Sequence, residues 1–386
     1  MRCSSCVGEE KHMVKERLKV LIITTFYPPS KGGIQTYTYE IAKNLRDMGD
    51  EVTVFSISSD GIRKIFSDPF MKVYKGENEK VGLLHVLKPH DCILATTWFP
   101  SGLVGIFLSR LHHVPLYISA HGNEILYPES YPLMEKLMIW TFNRADKIFA
   151  VSNYTKSLLV EKGVPREKIY IVPNGTDPER FSSKVTFDDI LQKHGIQGKR
   201  IILSISRLVE RKNLGAVIRI LPEILEKFPD VVYLIGGEGP MKDEWKRLAH
   251  EKGIGDKVMF VGHIPDDELP KYYAMCDIFV MPSKKIREKG EVEGFGIAFL
   301  EANACGKPVI GGRSGGVEDA IIDGETGILV DPDNENELKE AITKLLSDDS
   351  IAHLMGRKGR KRIEEELSWR KVTERLRRYM IVDKVR

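Results

Sequence analysis

The stretch Glu291–Val330 reads EVEGFGIAFLEANACGKPVIGGRSGGVEDAIIDGETGILV, and it decides how the rest of the chain is read. Glu293 and Glu301 flank Gly294-Phe295-Gly296, a loop that gives way to the helix-forming run Ile297 to Cys305. A helix beginning there turns free N–H groups and the positive end of its dipole toward the loop, which makes a seat for a phosphate. Glycines at 294 and 296 let a bulky anion approach the main chain. Glu301 stands about 7 Å along the axis from Gly296, at ~1.5 Å per residue, and helical side chains lean toward the N-terminus. Its carboxylate can therefore accept hydrogen bonds from a sugar beside the phosphate. Gly306 and Pro308 end the helix, Val309-Ile310 reads as a short strand, and Gly311, Gly312, Gly315 and Gly316 make a second loop. An ordinary αβ unit would explain a lone pair of glutamates; the surrounding glycines favour a ligand.

The segment EGFGIAFLEANACGKPVIGG resembles the E-x7-E region of retaining glycosyltransferases of the GT-B fold, the large family 4, and the resemblance runs from about Lys19 to the C-terminus. It implies an α/β protein of two Rossmann-like domains facing each other across a cleft, with a C-terminal helix crossing back to the first domain. It also implies a nucleoside-diphosphate sugar as donor, transfer to an acceptor hydroxyl and no bound metal. The expected divisions are a disordered tail over 1–16, an acceptor domain over 17–190, a donor-nucleotide domain over 191–366 and a final helix over 367–386.

Composition agrees with two domains of ordinary size. The 386 residues are 42% hydrophobic and 29% charged, which describes a globular protein. A formal net charge of +3 is too balanced for a nucleic-acid protein. No apolar run reaches the length of a membrane span and no signal peptide precedes the first strand, so the expected location is cytoplasmic. Cys92, Cys276 and Cys305 fall in apolar patterns that suit buried reduced thiols. Cys3 and Cys6 form a C-x2-C with no second pair to complete a zinc site. Met13 precedes the charged run before the first strand, and Met1 and Met13 both stand as candidate starts.

In chain order, Lys19 to Thr25 (KVLIITT) reads as a buried strand, followed by FYPPSKGG and a helix with Ile34, Tyr37, Ile41, Leu45 and Met48 on one face. Glu51 to Ile57 is the next strand. The first turn carries Gly32-Gly33 in place of G-x-G-x-x-G; a tight turn explains them about as well as a phosphate cradle. The resemblance bends the loop at Gly33 over the donor diphosphate. Further strands are expected at 91–96, 115–119, 147–151 and 169–172. His121 follows a strand end in SAHGNE, and the resemblance makes it the active-site histidine that touches the donor sugar. In VPNGTDPERF, Asn174, Gly175 and Asp177 shape a turn. Residues 182–199 read as the linker.

The second half echoes the first, RIILSIS against KVLIITT and CDIFVMPS against ADKIFAVS. After Ile201 to Ser206 comes RLVERKN and then a helix with Leu214, Val217, Ile218 and Leu221 inward. Charge runs are usually solvated loops. R-x4-K after a strand, however, resembles the family's diphosphate clamp, and Arg207 and Lys212 suit a doubly charged leaving group. The glycine loop that ends the strand in VVYLIGGEGP, from Gly236, and the turn Gly262-His263-Ile264 are placed by the resemblance near the nucleoside. Asp331-Pro332-Asp333 looks like a metal-binding D-x-D, but its context reads as a turn before a helix near Glu335.

The expected reaction is hexosyl transfer with retention of configuration. Arg207, Lys212, Glu293 and His121 are the catalytic candidates. Gly32, Gly33, Glu301, Phe295, Gly296, Ile297, Gly262, Ile264 and Gly236 are the donor-binding candidates, and no metal ligand or cofactor is expected. GDP-mannose is favoured as donor over a UDP- or ADP-sugar, because EVEGFGI and GGRSGGV look most like glycolipid mannosyltransferases. The acceptor is a lipid-linked or soluble glycan, peripheral contact with the inner membrane face stays open, and no nucleic-acid partner is expected. A nucleotide-dependent oxidoreductase and a non-catalytic sugar-nucleotide-binding protein are the alternatives.

Overall fold

The computed structural model describes residues 17–27, 32–57, 71–75, 79–81, 83–126 and 131–384. The expected tail, with Cys3, Cys6 and Met13, lies outside these residues. The first sheet contains β1 (Lys19–Thr24), β2 (Glu51–Ile57), β3 (Met71–Lys75), β4 (Glu79–Val81), β5 (Cys92–Ala95), β6 (Leu116–Ala120), β7 (Lys147–Ala150) and β8 (Ile169–Ile171). Its order is β4-β3-β2-β1-β5-β6-β7-β8. β1 is buried from Val20 onward because it pairs in parallel with both β2 and β5, and a strand so enclosed must be apolar on both faces. β3 and β4 run antiparallel at the edge. The sequence reading passed over them: MKVYK and EKV carry the lysines typical of edge strands and no continuous apolar run.

The second sheet contains β9 (Arg200–Ile205), β10 (Val231–Gly236), β11 (Val258–Gly262), β12 (Ile278–Met281), β13 (Val309–Gly312) and β14 (Gly327–Val330). Its order is β11-β10-β9-β12-β13-β14, and its strand pairs are parallel. That is the doubly wound 3-2-1-4-5-6 pattern, whose order reverses beside β9. The helix Leu214–Lys227 buries Leu214, Val217, Ile218 and Leu221, as expected from their spacing, and Ile224 where Leu225 was expected; Leu225 is half-buried. Residues 182–199 depart from the linker reading. The helix Asp188–His194 lies within them, and Ile190 and Ile196 are buried in the core that β9 to β14 build.

By its contacts the chain divides into two compact units. One takes Met1–Ile118, Arg144–Lys147 and Thr373–Arg386; the other takes Ser119–Asn143 and Ile148–Val372. The last helix, Trp369–Lys384, thus returns its greater part to the first unit. There Arg377 donates two hydrogen bonds to Asp50, at 2.6 and 2.8 Å, and Asp50 also accepts from the Leu18 N–H. Leu376 and Met380 are buried. In the second unit Gly175 lies against this chain end's approach: a Cβ there would stand 2.9 Å from the Leu367 carbonyl. Asp177 accepts from the Glu179 and Arg180 N–H groups and closes the turn. Cys92, Cys276 and Cys305 are buried free thiols, and burial pushes the Cys276 thiol up to about 12.

Candidate active site

The crevice of an open parallel sheet lies outside the strand ends at the point where the order reverses. In the second unit that point is flanked by the loops after β9 and β12. The first of these is tied down by its main chain: Ser206 N–H donates to the Gly236 carbonyl and Leu208 N–H to that of Glu238. A short turn over Glu210–Lys212 follows, ending at Asn213 in the left-handed region with φ 54°. Asparagine tolerates that conformation, and its Nδ2 donates to the Pro332 carbonyl at 2.8 Å. The turn sends Arg211 and Lys212 inward, each 7% exposed, and leaves Arg207 exposed.

Both inward cations meet Glu293. Arg211 Nη1 donates to Glu293 Oε2 at 2.6 Å, and Lys212 Nζ donates to the same oxygen. Burial alone would raise the Glu293 carboxyl, but Lys212 and Arg211 outweigh it and hold it down at about 2. Burial lowers the Lys212 ammonium, with the Arg211 and Arg207 charges adding to that and Glu293 opposing it. No described residue donates to Glu293 Oε1. One carboxylate oxygen is therefore anchored and the other is left for a ligand hydroxyl.

The main chain around Glu293 is held from two sides. Val292 N–H donates to Asn123 Oδ1 at 2.9 Å, and a Cβ on Gly294 would run into the His121 carbonyl. Gly316 N–H donates to the Glu293 carbonyl at 2.8 Å, while a Cβ on Gly315 would stand 2.6 Å from that same oxygen. This assigns the second glycine loop a task the sequence left blank: it backs the first. His121, half-buried after β6, donates its own N–H to the Glu124 carboxylate.

The helix Ile297–Ala304 starts from Gly296, which has φ 99° and no side chain to cap the first turn. Phe295 is buried beneath this start and Ile297 is half-buried. One turn on, Glu301 Oε2 accepts from Tyr273 Oη at 2.7 Å. Burial raises the Glu301 carboxyl, and the Tyr273 hydrogen bond and the Arg180 charge only partly offset it. At the far end Arg360 donates to the Ala304 carbonyl at 2.6 Å and to those of Pro178 and Phe181, a cation where the helix dipole is negative.

Gly236, Gly262 and Ile264 come together. Gly237 N–H donates to the Gly262 carbonyl at 2.7 Å, and a Cβ on Gly236 would stand 2.5 Å from Ile264 Cδ1. Gly262 has φ 73° and looks onto Glu238, itself paired with Lys242. Gly32 and Gly33 belong to the first unit, at the start of the helix Gly33–Asp47 that follows β1; both are exposed. Asp331 and Asp333 form a turn: Asp331 Oδ1 accepts the Asp333 N–H, and Asn334 caps the helix Glu335–Ser347. Among the described residues no group of three or more His, Cys, Asp or Glu side chains is placed to hold a metal ion.

Arg211, Tyr273 and Asn123 were absent from the sequence reading. Arg211 carried a signal, its place beside Lys212, but R-x4-K spacing singles out only the outer pair. Tyr273 and Asn123 gave none, because Tyr273 reaches Glu301 on its helix, and Asn123 the loop before Glu293, from other parts of the chain.

Comparison with known proteins converges on one family. The pattern of glycosyl transferases group 1 matches residues 186–362, and that of glycosyltransferase family 4 matches residues 31–180. A GDP-mannose-dependent alpha-(1-6)-phosphatidylinositol monomannoside mannosyltransferase of Mycolicibacterium smegmatis is 31% identical over 367 residues, 91% of this chain and 95% of that protein. An uncharacterized glycosyltransferase of Methanocaldococcus jannaschii is 27% identical over 380 residues, with coverages of 91% and 95%. Among solved structures, HepE of Anabaena in complex with UDP shares the fold, with a TM-score of 0.75 at 20% identity, covering 95% of this chain and 100% of that one. These matches leave no place for the oxidoreductase alternative. The chain belongs to the group 1 glycosyltransferases of family 4, with the GT-B fold.

Proposed function

We propose that this glycosyltransferase moves a hexosyl group from a nucleoside-diphosphate sugar, with GDP-mannose favoured, to a hydroxyl of a glycolipid or other glycan acceptor, with retention of configuration and without a metal. The observation that carries the reading is the Glu293 carboxylate, bonded through one oxygen by Arg211 and Lys212 at the switch point of the second sheet. It stands in the loop that opens the uncapped helix at Ile297. Cations and free amides suit a departing diphosphate, since donors aimed at developing charge stabilise it. Lys212, Arg207 and the amides at 295 to 297 take that role. Glu301 holds the ribose, Glu293 Oε1 and His121 orient the hexose, and Gly236, Gly262 and Ile264 line the nucleoside.

Glu293 is committed through Oε2 to two cations and Glu301 to Tyr273, which leaves neither suited to form a covalent glycosyl intermediate. The favoured route is front-face: the bond from the anomeric carbon to the phosphate oxygen breaks, the acceptor oxygen bonds to that carbon from the same side, and the leaving phosphate oxygen takes the acceptor proton. The mannosyltransferase relative supports the choice of donor. Among the described residues no helix is long and apolar enough to cross a membrane.

A thermal-shift screen of GDP-, UDP- and ADP-sugars tests the donor, since a ligand that binds only the folded state raises the melting point. GDP-mannose should give the largest shift. The anomeric configuration of the product, read by NMR in the presence of EDTA, tests the rest: an inverted product, or a reaction stopped by the chelator, defeats this reading.

A further inference from the structure

We propose that Arg211 is a positioning residue: it keeps the Glu293 carboxylate anchored while the Lys212 ammonium turns toward the donor diphosphate. The inference rests on the reading of Glu293 as the group that orients the hexose. Its first support is that the two cations share one oxygen, Glu293 Oε2. A lysine ammonium is a point charge on a flexible stem, whereas a guanidinium is a planar fork that keeps its direction. When a doubly charged anion enters, Lys212 can swing toward it and Arg211 is the partner able to stay.

Arg211 is also held from both sides of the crevice. Its carbonyl accepts the Lys284 N–H at 2.8 Å, from the loop after β12, while its neighbours belong to the turn closed by Lys212 N–H on the Val209 carbonyl and by Asn213 on Pro332. Its side chain is 9% exposed and that of Glu293 is 12% exposed. A buried carboxylate stripped of partners is strongly disfavoured, by the general rule for buried ions. Without Arg211, every approach of Lys212 to the diphosphate would leave Glu293 in that state, so Lys212 would remain with the carboxylate or the carboxylate would move. With Arg211 in place the two tasks separate. Glu293 stays neutralised and oriented, with Oε1 open to the sugar, and Lys212 is released to the leaving group.

The test compares Arg211→Met and Arg211→Lys with the unaltered enzyme in the assay established for its donor and acceptor, alone and combined with Glu293→Gln. Melting points confirm that each variant is folded, and Arg211→Gln replaces the methionine variant, with the same expectation, where that one does not fold. Arg211→Met should lower kcat roughly 10- to 100-fold, the scale of a misplaced orienting group. Calorimetry should find the affinity for free nucleoside diphosphate within about twofold of the starting value, the spread of independent sites. Arg211→Lys should recover most of kcat, and on the Glu293→Gln background Arg211→Met should cost nothing further. An unaltered kcat in Arg211→Met overturns the proposal, and so does full additivity with Glu293→Gln. A parallel loss of diphosphate affinity overturns it too, making Arg211 a ligand of the donor. An unimpaired Glu293→Gln overturns the reading of Glu293 and the proposal with it, a pattern distinct from failure of Arg211 alone.

Discussion

Glu293 and Glu301 belong to one motif and are held by opposite chemistry. Glu293 gives one oxygen to two cations, which keep it ionised far below the ordinary range. Glu301 gives one oxygen to the phenol of Tyr273, and burial moves its carboxyl up. In both cases the anchor takes Oε2 and leaves Oε1 without a donor among the described residues. The difference teaches what each oxygen is prepared for. A carboxylate locked into a charged cluster keeps its place when charge develops beside it, which suits the reacting sugar. A carboxylate held by a neutral donor suits a ribose, whose charge does not change during transfer.

The comparison is broken most directly at the cations. Lys212→Ala should lower kcat by roughly 10²-fold or more, the scale seen when one preorganised oxyanion donor is removed. Donor binding should suffer less than turnover. Initial rates that stay near normal would take the ammonium out of the chemistry and leave Glu293 a structural ion-pair partner.

Replacing the glutamates one at a time sharpens the contrast. Glu293→Gln should depress kcat by about 10²-fold, because orientation of the hexose is lost, while free nucleoside diphosphate binds nearly as before. Glu301→Gln should weaken donor and free diphosphate alike, by about 10- to 100-fold, the scale of one hydrogen bond to a charged group, with kcat little changed. Calorimetric titration set beside initial rates separates the two. The opposite pattern, with diphosphate affinity lost in Glu293→Gln and kept in Glu301→Gln, would exchange the roles.

Much of this arrangement could be read before any coordinates. KVLIITT and RIILSIS announce central parallel strands because both faces must be apolar, and the glycines around Phe295 announce a helix start kept open. What could not be read depends on direction or on distance. The run RLVERKN offers four charges, and only the tight turn ending at Asn213 decides that Arg211 and Lys212 point in while Arg207 points out. Tyr273 reaches Glu301 from the helix Leu269–Met275, a contact fixed by packing and not by spacing. The glycines at 315 and 316 read in sequence only as a second loop, and the structure shows them serving close main-chain approach to Glu293 and Gly294.

Stability should carry the same contrast in its pH dependence. The folded value of Glu293, about 2, lies below its ordinary 4.5. The unfolded chain therefore binds the proton more tightly, and the contribution of the ion cluster is complete above 4.5 and lost as pH falls toward 2. Glu301 has the reverse sign: its folded value is raised, so its contribution weakens as pH climbs through the region above the unfolded value. Melting curves across the acid range should show the gap between the unaltered protein and Glu293→Gln closing as pH drops over that window. A gap that stays constant would mean that Glu293 is not held by its cations.

The smallest effect is expected at Tyr273. Tyr273→Phe removes one donor and little volume, so the core around Phe279 and Phe299 should keep its packing. Glu301 then loses an influence that lowers its pKa while burial, which raises it, stays. The carboxyl should take up a proton at a higher pH than before, and in that neutral form accept hydrogen bonds from a ribose more weakly. At neutral pH the affinity for nucleoside diphosphate should fall by about tenfold or less, the equivalent of one hydrogen bond. At acid pH the deficit should widen, because the variant is protonated where the unaltered protein is still ionised. Turnover at saturating donor should change little, since the ribose carries no developing charge. Calorimetric titration at neutral and at acid pH measures both arms. A deficit independent of pH would show that the phenol acts only as packing, and a fall in kcat without loss of affinity would place Glu301 with the reacting sugar and end the division of labour between the two glutamates.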